Sequence, residues 1–274
     1  MGFLKSKLKR LLPPALLRPL IALYRLIESR DESAAVLSFL LRRHPHTGFM
    51  TRLRLLKQVY LISFRVECPH SQREVLAFMR AILNISPEIT GCIVEAGSYR
   101  GGSTAKFSLA ARLVNRKLVV FDSFEGIPEH AETHTKDIFG RPVSFARGSY
   151  AGSLEQVRST IRRFGCLEAC EFVKGWFDET LPRFDEPVAA AYLDVDLASS
   201  TRTCLKQLYP KIVNGGVLYS QDGHLPLVLE AFMNDEFWER DIGAPRPDVE
   251  DLGRSRLIHL TKLAPGPSRL PADV

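Results

Sequence analysis

From residue 91 onward, short apolar runs alternate with stretches of helical spacing. The runs cover residues 92–96, 118–121, 171–173, 188–193 and 216–219. Between them, residues 103–113, 153–164, 199–209 and 225–237 place apolar side chains three and four positions apart, the period of a helix with one buried face. Strand-length runs separated by single helices predict a parallel sheet with helices on both faces and right-handed crossovers. The chain therefore reads as a doubly wound α/β fold. A last run over 256–263 predicts an antiparallel strand closing the sheet.

Upstream the texture is helical. Leu20, Ile21, Leu23, Tyr24 and Ile27 form one apolar stripe, and Leu53, Leu55, Leu56, Val59, Tyr60 and Ile62 form another. The segment His44-Pro45-His46-Thr47-Gly48 breaks the pattern, as proline and glycine do. Ser71 followed by Glu74 predicts a capping box that opens the helix Val75–Leu83,. The expected organisation is a helical region over 1–90, a ligand-binding α/β domain over 91–264, and a proline-containing tail over 265–274. The helical region would serve oligomerisation, capping of a substrate, or contact with a membrane surface.

Charge changes the picture at one place only. The chain carries a net +6. Residues 1–30 hold seven basic side chains and one acidic one, so the rest is balanced. A neutral body argues against nucleic acid as a partner, which would want a basic face on the folded domain. The basic segment is either a peripheral contact with an anionic surface or a helix packed on its own domain or a second subunit. Its apolar stretch is too short to span a bilayer, and Pro13, Pro14 and Pro19 interrupt it. Five cysteines at irregular spacing, with no C-x-x-C pair, point to a reduced, cytoplasmic chain. Cys92 and Cys204 sit in apolar patterns and read as core.

The candidate chemistry gathers at the carboxyl ends of the strand-like runs, where open α/β sheets bind ligands. The first run ends in Glu95-Ala96-Gly97-Ser98-Tyr99-Arg100-Gly101-Gly102-Ser103. Glycines at 97, 101 and 102 would let backbone approach a ligand, and Ser103 or Thr104 would cap the next helix. The second run ends in Asp122, 25 residues after Gly97, where a carboxylate can accept from both hydroxyls of a ribose. It can equally cap its own turn. The fourth run leads into Asp194-Val195-Asp196 and the fifth into Gln221-Asp222-Gly223-His224. Asp194 and Asp222, brought together by adjacent strand ends, would offer oxygens suited to a hard cation.

The stretches VEAGSYRGGST, VVFDSFEGIP, GWFDETLP, YLDVDLASST and LYPKIVNGGVLYSQDG together resemble the macrocin O-methyltransferase family, whose members methylate sugar hydroxyls. The resemblance implies a class I methyltransferase sheet, Rossmann-like, with S-adenosylmethionine bound along Glu95, Gly97, Ser98, Gly102, Ser103, Asp122 and Ser123. Trp176 and Phe177 would flank its adenine, and Asp194 would also lie against the cofactor. It further implies Mg²⁺ held by Asp194 and by an Asp-Asp pair after the next strand. This chain has Gln221-Asp222 there, and an amide oxygen brings no formal charge. Asp194 or His224 would accept the proton from the hydroxyl. The resemblance implies a homo-oligomer with a small-molecule or glycan acceptor. Two rivals stand beside it. A D-x-D glycosyltransferase would not need the glycine turn followed by a ribose carboxylate. A binding or scaffold protein that keeps the fold without catalysis is left open by Gln221.

Overall fold

The computed structural model describes residues 30–42 and 44–263. The expected stripe at 20–27, the basic segment up to residue 29 and the tail after 263 lie outside the described residues. The elements follow in the order α1 (Arg30–Leu41), α2 (Phe49–Arg65), α3 (Gln72–Leu83), β1 (Cys92–Ala96), α4 (Gly102–Leu113), β2 (Leu118–Asp122), α5 (Leu154–Phe164), β3 (Cys170–Lys174), α6 (Phe177–Thr180), β4 (Val188–Leu193), α7 (Ala198–Leu208), β5 (Ile212–Ser220), α8 (Pro226–Met233) and β6 (Ile258–Thr261).

The six strands form one sheet in the order β3-β2-β1-β4-β5-β6. The first five are parallel, and β6 runs antiparallel against β5. Strands β1 and β4 are buried at every residue, which is why their sequences CIVEA and VAAAYL do not alternate: both faces are covered. One face packs under α1–α4, with Phe78, Met79 and Phe107 against Ile93, Ala190 and Tyr192. The other carries α7 and α8, with Leu205, Leu208 and Phe232 against Val94, Ala191 and Leu218. The chain leaves β3 at one edge and re-enters beside β1 as β4. Strand order reverses there, and the crevice outside those strand ends is the natural binding place.

Boundaries moved at several elements, β5 among them, which begins at Ile212 and not at 216. The capping box at Ser71 forms, but the helix it opens begins at Gln72. Helix α4 is capped by Gly101 in a left-handed conformation, φ 77°, with no side-chain cap. Ser103 and Thr104 are buried in its first turn instead of capping it. The expected helix over 225–237 ends at Met233, and a wide π-helical turn follows over Phe237–Ile242. There the buried Trp238 indole donates to the Phe232 carbonyl.

Candidate active site

The three glycines of the turn serve packing inside the protein. Gly97 has φ 87°, and a Cβ on it would run into the Asp194 carbonyl of the neighbouring strand end. A Cβ on Gly101 would press on Val157 of α5, and one on Gly102 would press on Cys68 and the Glu67 carbonyl. The expectation that all three open space for a ligand is thus corrected. Only Gly97 also lines the cleft, and the missing side chains let β1, β4, α5 and the residues before α3 close together.

Asp122 accepts three bonds from the protein. Its Oδ2 takes the Ser98 N–H at 2.6 Å and the Ser98 hydroxyl at 2.7 Å. Its Oδ1 takes the Phe124 N–H at 2.7 Å. Asp122 thus caps its own turn and still faces the cleft, with lone pairs to spare on Oδ1,. Burial raises its pKa in spite of these bonds. Ser98 and Ser103 are buried, Ser98 being held by Asp122.

The cleft is lined by Gly97, Tyr99, Asp122, Ser123, Trp176, Phe177, Asp194, Asp196 and Arg256, among others. A larger cavity, about 590 Å³, lies between α1, α3 and the β5–β6 pair, away from these strand ends.

Glu95 does not reach the cleft. It is fully buried beneath the turn, with the Ser103 and Thr104 hydroxyls facing its carboxylate. Burial pushes its pKa up to about 8, against the pull of the Ser103 and Thr104 hydroxyls.

Beyond β4, Asp194 and Asp196 stand on a loop, with Asp196 at φ 60°. Asp222 sits beneath this loop, its Oδ2 accepting from the Val195 N–H at 2.9 Å and the Asp196 N–H at 3.0 Å. Burial and then the Asp194 charge raise Asp222 to about 7. Burial, Asp222 and Asp194 raise Asp196 well above the usual carboxylate range, with Arg256 opposing. Gln221 is fully buried, and its Oε1 accepts from the Tyr192 hydroxyl at 2.8 Å. His224 is buried and does not line the cleft. Burial, then Arg256, lowers its pKa to about 4, so it is neutral near pH 7.

An unforeseen pair completes the site. The His70 ring, just before α3, donates through Nε2 to Asp194 Oδ2 at 2.8 Å. Its Nδ1 lies 3.5 Å from the Cys68 sulfur, and the buried Lys106 ammonium donates to the same sulfur at 3.5 Å. Burial would raise the Cys68 thiol, but Lys106 and His70 bring it down to about 6. Burial would lower His70, but Asp194 and Cys68 outweigh it and raise it well above its ordinary value. This chain of four groups links α4 to the end of β4.

The three donors implied for Mg²⁺ do not fit a divalent cation. The Gln221 oxygen is neutral and taken by Tyr192. Asp222 is engaged by two backbone N–H groups, and Asp194 by His70. Among the described residues, no three His, Cys, Asp or Glu side chains converge as metal ligands.

The segment 128–142 is tied to the body of the fold. Glu132 accepts from the Ala198 and Ser199 N–H groups at the start of α7, both at 2.8 Å. His134 pairs with Glu132 at 3.0 Å, and the Ile138 N–H donates to the His224 carbonyl. All five cysteines are free thiols.

The family model of the macrocin O-methyltransferases (TylF) matches residues 73–253. The chain is 37% identical over 171 residues to the 8-demethyl-8-(2,3-dimethoxy-alpha-L-rhamnosyl)-tetracenomycin-C 4'-O-methyltransferase of Streptomyces olivaceus, covering 60% of this chain and 65% of that protein. It is 33% identical over 143 residues to the demethyldecarbamoylnovobiocin O-methyltransferase of Streptomyces niveus, covering 50% and 55%. The matched region thus spans less than two thirds of either relative. Among solved structures, the O-methyltransferase NovP superimposes with a TM-score of 0.62 at 23% identity, over 78% of this chain and 100% of that one. That likeness establishes a shared fold.

Proposed function

Because the chain belongs to the macrocin O-methyltransferase family, whose model matches it over residues 73–253, we propose that it transfers a methyl group from S-adenosylmethionine to a sugar hydroxyl of a glycosylated natural product or glycan. One observation carries this reading. Gly97, Asp122, Trp176, Phe177 and Asp194 line a single cleft at the point where strand order reverses. A rhamnosyl acceptor in one relative's name supports a sugar hydroxyl as the acceptor class.

In this reading the free lone pairs of Asp122 receive the ribose hydroxyls, and Ser123 borders them. Trp176 and Phe177 hold the adenine by apolar and aromatic contact. Gly97 and Ser98 form the wall beside the cofactor, with Gly102 and Ser103 supporting the turn from within. Glu95 acts from beneath the turn, fixing its polarity without touching the cofactor. Methyl transfer is an in-line displacement: the acceptor oxygen forms a bond to the methyl carbon as the carbon–sulfur bond breaks, leaving a neutral thioether. The hydroxyl proton passes to Asp194, which borders the cleft where His224 does not. Orientation of the two reactants is the larger part of the rate gain, and proton removal adds roughly 10²–10⁴-fold. Residues 1–30 would hold the protein at an anionic surface or build an oligomer. No helix among the described residues is long and apolar enough to cross a membrane.

The test is transfer of radiolabelled methyl from S-adenosylmethionine to rhamnosylated and other glycosylated acceptors. Label in the sugar of at least one acceptor is expected. Cofactor binding with no transfer to any hydroxylated acceptor would favour a scaffold.

A further inference from the structure

The family resemblance implies a cation at Asp194, yet the partner actually standing there is His70. We propose that the His70–Asp194 pair replaces the divalent cation, so that this protein works without a metal and His70 is the positioning residue that fixes Asp194 for the acceptor. The proposal rests on the methyltransferase reading only for what Asp194 does with the acceptor.

Three observations carry it. First, His70 is buried and its two ring nitrogens face two acceptors, Asp194 Oδ2 at 2.8 Å and the Cys68 sulfur at 3.5 Å. A ring so placed donates its Nε2–H to the Asp194 carboxylate,. With both nitrogens engaged, it does not meet the substrate itself. Asp194, its carboxylate side chain 21% exposed, does. Second, the donor that would complete a metal shell is absent in kind: Gln221 stands where the family pattern has a carboxylate, and its oxygen faces Tyr192. A hard cation wants free anionic oxygens; here one Asp194 oxygen is bound by His70 at 2.8 Å, and the Gln221 oxygen is neutral and bound by Tyr192. Third, His70 comes from the residues just before the family-matched segment, which begins at 73. It is held there by the Ser71 capping box on one side and by the Cys68–Lys106 contact on the other.

Electron paramagnetic resonance of Mn²⁺ added to the wild-type chain tests this without any acceptor. No chain-bound Mn²⁺ at millimolar concentration is expected, and Mn²⁺ that persists in Asp194→Ala counts the same way, since it is then held elsewhere. One Mn²⁺ per chain that is lost in Asp194→Ala overturns the proposal. So does methyl transfer that a chelator abolishes and Mg²⁺ restores. The positioning role is read from His70→Ala and His70→Gln. Both are expected to lower kcat roughly 100-fold while the affinity for S-adenosylmethionine stays within about twofold. A kcat within about threefold of wild type in both variants overturns it, and so does loss of cofactor binding in both, which would make His70 structural only. Should the wild type methylate no acceptor, the functional reading fails, and the Mn²⁺ titration alone decides this inference.

Discussion

Glu95 is a carboxylate enclosed at the centre of the fold, and its titration should be visible in stability. Its pKa is about 8 in the folded chain against an ordinary 4.5. Between those values the folded state keeps a proton that the unfolded state has released. Stability therefore falls as pH rises from 4.5 to about 8 and levels off above, by on the order of a few kcal/mol. Glu95→Gln removes the group. Melting curves should show the variant gaining on wild type between pH 5 and pH 8, and parallel curves would contradict this. Asp122 is the complementary case. Asp122→Ala strips the acceptor from the Ser98 N–H, the Ser98 hydroxyl and the Phe124 N–H, so cofactor affinity should fall roughly tenfold to hundredfold by calorimetry, with Asp122→Asn milder. Asp122, Asp194 and Asp222 were legible in the sequence because each ends or follows an apolar run. His70, Cys68 and Lys106 were not. His70 meets Asp194 across 124 positions, and nothing local marks Cys-Pro-His as chemistry. Lys106 looked like an ordinary polar position on a helix, yet it is fully buried.

At the scale of elements, the strands were easy to read and the turn was easy to misread. Short, largely apolar runs alternating with helical stretches read as parallel strands, and β1, β2, β3 and β4 fall within a residue of expectation. Glycine, by contrast, signals missing volume without saying what fills it. In this turn the filler is Asp194 backbone, Val157 and Cys68. Gly97→Ala should therefore cripple the fold itself by forcing β1 and β4 apart at a left-handed position, a loss on the order of 3 kcal/mol or more. A folded, cofactor-binding Gly97→Ala protein by circular dichroism and calorimetry would refute that packing argument. Ser71→Ala removes the capping box at the head of α3. It should cost about 1 kcal/mol in urea melts and loosen the neighbouring His70. In the polar stretch 128–142, Glu132 uses its charge to cap α7.

For the whole molecule, charge and architecture divide the labour. The body is balanced, and the excess sits in residues 1–30. Binding to anionic vesicles should accordingly depend on that segment and vanish at high salt, and removing residues 1–29 should abolish it. Cosedimentation at low and high ionic strength checks this. The doubly wound topology was enough to predict where the cleft opens but not which groups stand behind it. The cofactor is the central claim, and equilibrium binding measures it without knowledge of the acceptor. Titration of the full chain with S-adenosylmethionine in a calorimeter should give one site per chain with micromolar affinity, weakened in Asp122→Ala. No heat of binding at millimolar cofactor would contradict the account at its root.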